Sequence, residues 1–363
     1  MRPVQGKAPC AYCVPHVRHL RQASSPGRLT LTTVALDLLG GDGGPAVMAA
    51  AARLALESDP DIRIVLVGPT ELAQPAARAI LSGGFPDESV QFVESSRAIA
   101  MDEDPLPAVR AAENVTVVAG VRAVRQHMAD AFVTAGHTGA AVAASVFGYG
   151  RIHASVRPAL AIVLPAENGP VVLLDAGAST DATAQALLGH AISGAAYASA
   201  LGLQVPRVGL LSIGSEAGKG DALRIAAHTL MAENLSAAGI HFSGLVEGHD
   251  VALGERANVI VTDGFTGNVV LKTLEGAVRW AAHRMAEEYG DAAPAREVVA
   301  RTARGDFAGG TLLGVQGLTI VGHGAGTAEE ITACILLAAR ASRNRLVAAI
   351  TSGTREVFER AGV

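Results

Sequence analysis

Short β-branched runs alternate with longer Ala-rich segments along almost the whole chain, and most of the runs end in glycine-rich turns. The pattern predicts strands over residues 30–36, 62–67, 90–93, 131–134, 159–164, 171–174, 208–213, 240–246, 259–262 and 318–321. Helices are expected over 45–57, 105–128, 183–201, 218–236, 267–289 and 328–349, among others. Strands that are apolar throughout, rather than alternately apolar and polar, have both faces covered. The reading is therefore an α/β fold with a largely parallel sheet between layers of helices. Aromatic residues make up 4% of a chain that is 50% hydrophobic, so the core is expected to be aliphatic. With 363 residues there is material for one large α/β unit or about two domains.

A formal net charge of −5 argues against a nucleic-acid partner, because phosphate backbones are gripped by clustered Lys and Arg. Two long uncharged runs, 131–150 and 182–206, contain His, Gly, Ser and Thr and read as buried α/β segments rather than membrane spans. The basic N-terminus lacks an apolar stretch with a small-residue cleavage site, and three Cys fit a reducing compartment, so a cytoplasmic protein is expected. Residues 1–28 hold Arg2, Lys7, Arg18, Arg21 and Arg28 and no acid, which reads as a flexible basic extension. Within it Cys10, Cys13, His16 and His19 sit too close together for the usual structural zinc module. Residues 29–363 read as the folded α/β domain.

In a parallel α/β sheet the ligand lies beyond the carboxyl ends of the strands. Six glycine-rich turns are expected there: Leu36 to Pro45, Ala135 to Gly139, Asp175 to Ala178, Gly214 to Gly220, Thr262 to Asn268 and Gly322 to Gly326. Gathered at one edge, they would let backbone N–H groups and helix N-termini surround a small anion or a phosphorylated ligand. The Gly214 to Lys219 stretch is one residue short of a nucleotide phosphate loop, and Gly220 stands where that loop needs Ser or Thr. Neither Gly40 to Gly44 nor Gly322 to Gly326 has dinucleotide-binding spacing. A nucleophile elbow and an HExxH zinc motif are also absent, and Cys334, in an Ala/Leu-rich helical pattern, reads as a buried structural thiol.

Several of these loops, read in order, resemble one family. Leu36-Asp37-x-x-Gly40-Gly41-Asp42-x-Gly44-Pro45, Ala135-Gly136-x-Thr138-Gly139-Ala140, Arg157-Pro158-Ala159-Leu160, Val246-Glu247-Gly248 and the block from Asp263 to Gly276 are similar to the bacterial acyl-carrier-protein:phosphate acyltransferases of phospholipid synthesis. The resemblance runs from about Leu29 to about Ala349. It implies a Rossmann-like three-layer α/β/α sandwich related to phosphotransacetylases and isocitrate dehydrogenases, and a homodimer. It also implies phosphorolysis of an acyl thioester to an acyl phosphate and free acyl carrier protein, with inorganic phosphate as the second substrate. In such chemistry phosphate is the nucleophile, and the protein supplies position, cations and N–H donors. Because the near-miss phosphate loop lacks its hydroxyl and no dense carboxylate cluster is present in the sequence, no metal or cofactor is expected. Asn268, Lys272, Lys219, Asp263 and Thr266 are the catalytic candidates. Asp37, Gly40, Gly41, Asp42, Gly43, His137, Thr138, Gly139, Arg157, Asp175, Gly264, Phe265, Gly267 and His323 are the phosphate- or substrate-binding candidates.

The chain also departs from that family. His137, Ser179, Ser212 and Thr327 stand where the family usually has Asn, and Ala111 to Thr116 carries Glu113 in place of a basic, Ser-rich stretch. The projecting helical segment, 273–308 here, is short and of mixed charge, so membrane association is expected to be weak or absent. Two alternatives follow: a phosphotransacetylase-like enzyme using acyl-CoA, and a non-catalytic relative that only binds acyl carrier protein.

Overall fold

The computed structural model describes residues 31–362, apart from 112, 113, 204, 291, 292 and 294–308. The expected extension over 1–28, with its Cys and His set, lies outside the described residues, as does most of the stretch from 291 to 308. Eleven strands form one sheet: β1 (Thr32–Asp37), β2 (Ile62–Gly68), β3 (Val90–Glu94), β4 (Ala131–Thr134), β5 (Ala159–Ala166), β6 (Gly169–Leu174), β7 (Arg207–Leu211), β8 (His241–Val246), β9 (Val259–Val261), β10 (Gly309–Leu313) and β11 (Thr319–Gly322). Their spatial order is β3-β2-β1-β4-β11-β10-β5-β6-β9-β7-β8. The described helices are α1 (Gly44–Ser58), α2 (Thr70–Leu81), α3 (Pro105–Ala111), α4 (Thr116–Arg125), α5 (Thr138–Tyr149), α6 (Ala184–Ala200), α7 (Ala222–Asn234), α8 (Asp250–Leu253), α9 (Gly264–Tyr289), α10 (Ala328–Arg343) and α11 (Leu346–Ala361).

Side chains alternate between the two faces of the sheet, and each face has its own helical cover. Val34, Leu36, Val133, Val172, Leu174 and Val261 belong to the larger core, which also takes in buried residues of α1, α6, α7, α10 and α11. On the opposite face Ala35, Val65 and Phe132 pack with α4 and α5, while Val171, Leu173 and Ile260 pack with α8 and α9. Between those two patches a small cluster joins Leu160 of β5 and Val321 of β11 to Ala141 of α5. This is the three-layer α/β/α arrangement expected from the sequence.

Strand polarity corrects one expectation. Seven pairings are parallel, but β11–β10, β10–β5 and β5–β6 are antiparallel. Three reversals invert the chain direction from one side of the sheet to the other. The carboxyl ends of β1, β4 and β11 therefore open on one edge, and those of β6, β7 and β9 on the opposite edge. The six glycine-rich turns are divided three and three instead of sharing an edge.

The reversal depends on β10, which the sequence reading did not contain. Its Gly309-Gly310 start has low strand propensity. Packing demands those glycines all the same: a Cβ on Gly310 would lie 2.6 Å from Leu160, and one on Gly309 would lie 2.7 Å from the Cys334 Sγ. Two expected helices are each broken in two. Residues 105–128 divide into α3 and α4, because Val115 bridges to Arg97 and the Thr116 N–H donates to the Arg97 carbonyl at 2.9 Å. Residues 328–349 break at Arg345, whose φ of 54° lies in the left-handed region.

Candidate functional site

Asp37 closes β1 and is buried. Its Oδ2 accepts from the hydroxyls of Thr134 at 2.8 Å and Thr116 at 3.1 Å, and its Oδ1 accepts from the Leu39 N–H at 3.0 Å. These donors are neutral, so burial wins and pushes the carboxyl up to about 6. Gly40 covers the group closely: a Cβ there would sit 2.7 Å from the Thr134 hydroxyl and 2.9 Å from Asp37. The Asp42 N–H donates to the Gly324 carbonyl at 2.8 Å, tying the Gly40–Gly43 turn to the loop that carries His323. At the same edge His137 caps α5, its Nδ1 accepting from the Ala140 N–H at 3.4 Å, with Thr138 and Gly139 in the first turn.

The opposite edge is built around two more carboxylates. Asp175, fully buried after β6, accepts four backbone N–H bonds at 2.8–2.9 Å, from Leu160, Gly177, Ala178 and Ser179. The amides of this glycine turn are therefore directed at the protein's own carboxylate. Asp263 caps α9: Oδ1 accepts from the Thr266 N–H at 2.9 Å and Oδ2 from the Thr266 hydroxyl at 2.8 Å. α9 then packs directly on the Asp175 loop, because a Cβ on Gly267 would lie 1.9 Å from the Asp175 carbonyl oxygen and one on Gly264 would lie 2.2 Å from the Ser179 carbonyl oxygen. Asn268 donates from Nδ2 to the Ala176 carbonyl at 3.3 Å, and Phe265 is 66% exposed beside it.

The two edges meet over the antiparallel centre. Ala178, from the Asp175 loop, packs against the cluster of Ala141, Leu160 and Val321, three residues along α5 from Thr138. Arg157 precedes β5 and so joins the Asp175 edge. Its carbonyl accepts from the buried His190 at 3.1 Å with Nε2 carrying the proton, and burial holds that imidazole below its ordinary value against the pull of Asp175. Lys219 is exposed at this edge, in a loop pinned where the Ser212 hydroxyl donates to the Lys219 carbonyl at 3.1 Å. Lys272 is also exposed and pairs with Glu275 at 3.0 Å. His323 stands with Asp37 on the other edge. Cys334 is buried, which pushes its thiol up to about 12 and removes it as a nucleophile.

The cation most deeply set among these residues is Arg224, which the sequence reading did not single out. Its Nη2 donates to Asp263, to the Thr262 hydroxyl at 3.2 Å and to the Thr266 hydroxyl at 3.1 Å, and its Nη1 donates to Asp221 at 3.0 Å. Burial raises the Asp263 carboxyl, but Thr266 and the Arg224 guanidinium outweigh it and hold the group below its ordinary value. A signal was present in the sequence. Asp221 ends the Gly214–Gly220 loop as the α7 cap, and Arg224 three residues later faces the same strand ends.

A model of the family described as "Fatty acid synthesis protein" matches residues 32–348. The chain belongs to that family. It is 39% identical over 336 residues to the phosphate acyltransferase of Pelotomaculum thermopropionicum, covering 89% of this chain and 95% of that one. To the phosphate acyltransferase of Desulfitobacterium hafniense (strain DSM 10664 / DCB-2) it is 38% identical over 318 residues, 84% of this chain and 92% of that one. Among solved structures, a phosphotransacetylase from Streptococcus pyogenes shares the fold with a TM-score of 0.57 at 18% identity, over 86% of this chain and 94% of that one. The EutD phosphotransacetylase from Staphylococcus aureus does so with a TM-score of 0.56 at 15% identity, over 86% and 96%.

His137, Thr327, Ser179 and Ser212 each have local work in this structure. His137 caps α5, and Thr327 caps α10 in a reciprocal pair with Glu330. The Ser179 hydroxyl donates to the Asp181 carbonyl at 2.8 Å, and Ser212 holds the Lys219 loop. The first two are helix caps and the Ser179 bond closes a turn, whereas Ser212 ties together the ends of a longer loop.

Proposed function

We propose that this chain is a phosphate acyltransferase that converts an acyl thioester of acyl carrier protein and inorganic phosphate into an acyl phosphate and the free carrier thiol. The observation that carries the reading is the likeness to phosphate acyltransferases over 84–89% of the chain, together with the family match over residues 32–348, which spans the loops of both edges. In the reaction a phosphate oxygen attacks the thioester carbonyl carbon and forms a C–O bond. The carbonyl electrons move onto oxygen and return as the C–S bond breaks, and the thiolate leaves with the carrier and takes up, through solvent, the proton that the attacking hydrogen phosphate gives up.

Asn268, Lys272 and Lys219 hold the attacking phosphate and the transient oxyanion, while Asp263 and Thr266 fix the start of α9. Gly264, Phe265, Gly267, Asp175 and Arg157 shape that half of the site. Asp37, Gly40 to Gly43, His137 to Gly139 and His323 form the half that receives the thioester. The working form is a homodimer in the cytoplasm. Among the described residues no helix is long and apolar enough to cross a membrane. The test is incubation of the purified protein with an acyl carrier thioester and phosphate, reading hydroxylamine-trappable acyl phosphate and free thiol. Thiol release that does not depend on phosphate, or turnover that prefers acyl-CoA, would overturn the reading.

A further inference from the structure

On the outer side of α4 and α5 an apolar groove of about 220 Å³ is lined by Val109, Val118, Val121 and Ala144, with Phe147 at its side, 48% exposed. Arg122 and Arg125 complete the lining, and the Arg110 guanidinium stands 4.9 Å above the Phe147 ring. These arginines are the only charged residues of α3, α4 and α5, in a chain whose net charge is −5. Glu113, in the connection between α3 and α4, lies outside the described residues.

The groove suits an occupant with one apolar stripe flanked by carboxylates, which is the surface of an acidic amphipathic helix. A nucleic acid would bring the charge without the stripe. The groove is also coupled to the site through α5 itself, which begins at Thr138 beside His137 and reaches Phe147 nine residues later, about 13 Å along the axis. We infer that this groove docks an acidic helix of the acyl carrier protein, with the acyl thioester directed along α5 toward the paired loops. The inference rests on the phosphate acyltransferase reading, which supplies the carrier.

The experiment compares the parent with Arg122→Glu/Arg125→Glu and, separately, Phe147→Ser, on full-length protein with melting temperatures within a few degrees of the parent. Arg125→Gln replaces the double variant if that fails to fold. Binding of acyl carrier protein is titrated directly, and turnover is measured on the carrier thioester and on a truncated acyl-pantetheine thioester. Both variants should bind carrier about tenfold or more weakly, the double variant with a flatter salt dependence and Phe147→Ser with the parent's, while turnover of the truncated thioester stays at the parent's level. Unchanged carrier affinity, or equal loss on both thioesters, overturns the docking site. So does a double variant that loses binding to vesicles containing phosphatidylglycerol while keeping its carrier affinity, because the arginines would then face lipid. A parent that binds carrier through the groove yet forms no acyl phosphate sinks the reaction and leaves the docking site standing. A parent that turns over only the truncated thioester and does not bind carrier does the reverse.

Discussion

Replacing Asp37 with Asn should change how stability depends on pH, and the structure sets both the sign and the size. The folded carboxyl titrates near 6 against an ordinary value of 3.8, with burial as the cause. Below about pH 4 the folded and unfolded chains both hold the proton, and the group makes no difference. Between pH 4 and 6 the folded protein keeps a proton that the unfolded chain has released, so stability falls as pH rises. Above pH 6 the cost is constant. Two pH units at about 1.4 kcal/mol each make it about 3 kcal/mol.

An Asn at this position stays neutral throughout and can keep the local bonds. Its carbonyl still accepts from the Leu39 N–H, and the hydroxyls of Thr116 and Thr134 can turn to accept from its amide. Thr134 already accepts from the Gly136 N–H at 3.1 Å. Asp37→Asn should therefore gain about 3 kcal/mol on the parent between pH 4 and 7, measured by denaturant unfolding of both proteins at fixed ionic strength. A difference that stays flat across that range would refute the claim that Asp37 is held without compensating charge.

Three further outcomes are expected. Asn268→Ala and Lys272→Ala should each lower acyl phosphate formation about a hundredfold while melting within a few degrees of the parent; near-normal turnover in both would make this turn purely structural. Arg224→Met leaves Asp263 buried without its cation and should cost about 3 kcal/mol in denaturant unfolding, whereas a loss below about 1 kcal/mol would mean that water reaches the carboxylate. Gly267→Ala should abolish the fold or the activity, because its Cβ would lie 1.9 Å from a backbone carbonyl, while Gly276→Ala on the same helix has open space and should stabilise by about 1 kcal/mol; equal behaviour of the two variants would count against the α9 packing described above.

Much of the fold was legible because burial on both faces writes itself into strand composition. β4 is Ala-Phe-Val-Thr and wholly buried, and a residue-by-residue reading finds it. β10 was not legible, because its glycines answer to Leu160 and Cys334 across the fold and not to strand propensity. The same gap hid the polarity of the site, since a parallel and an antiparallel neighbour leave the same hydrophobic run. Among the candidate residues, Asp263 was visible within the glycine-rich turn from Thr262 to Asn268, and its role as the α9 cap came only with the structure. Arg224 was obscured because its partners, Asp263, Thr262 and Thr266, lie about forty residues away in sequence.

The reversed centre of the sheet bears on how two substrates can be brought together. In a wholly parallel sheet every helix after a strand would present its positive end at one edge, a field suited to a single polyanion. Here β10 and β5 turn half of the sheet over, so α5 starts from one edge and α9 from the other, on the same face. The β5–β10 pairing spans four residues, about 13 Å, which is short enough for Ala178 of the Asp175 loop to pack against the cluster that holds Ala141 of α5. Under the proposed reaction one helix N-terminus can hold the phosphate while the other receives the thioester, so that the nucleophile and its target enter from opposite edges of the same face.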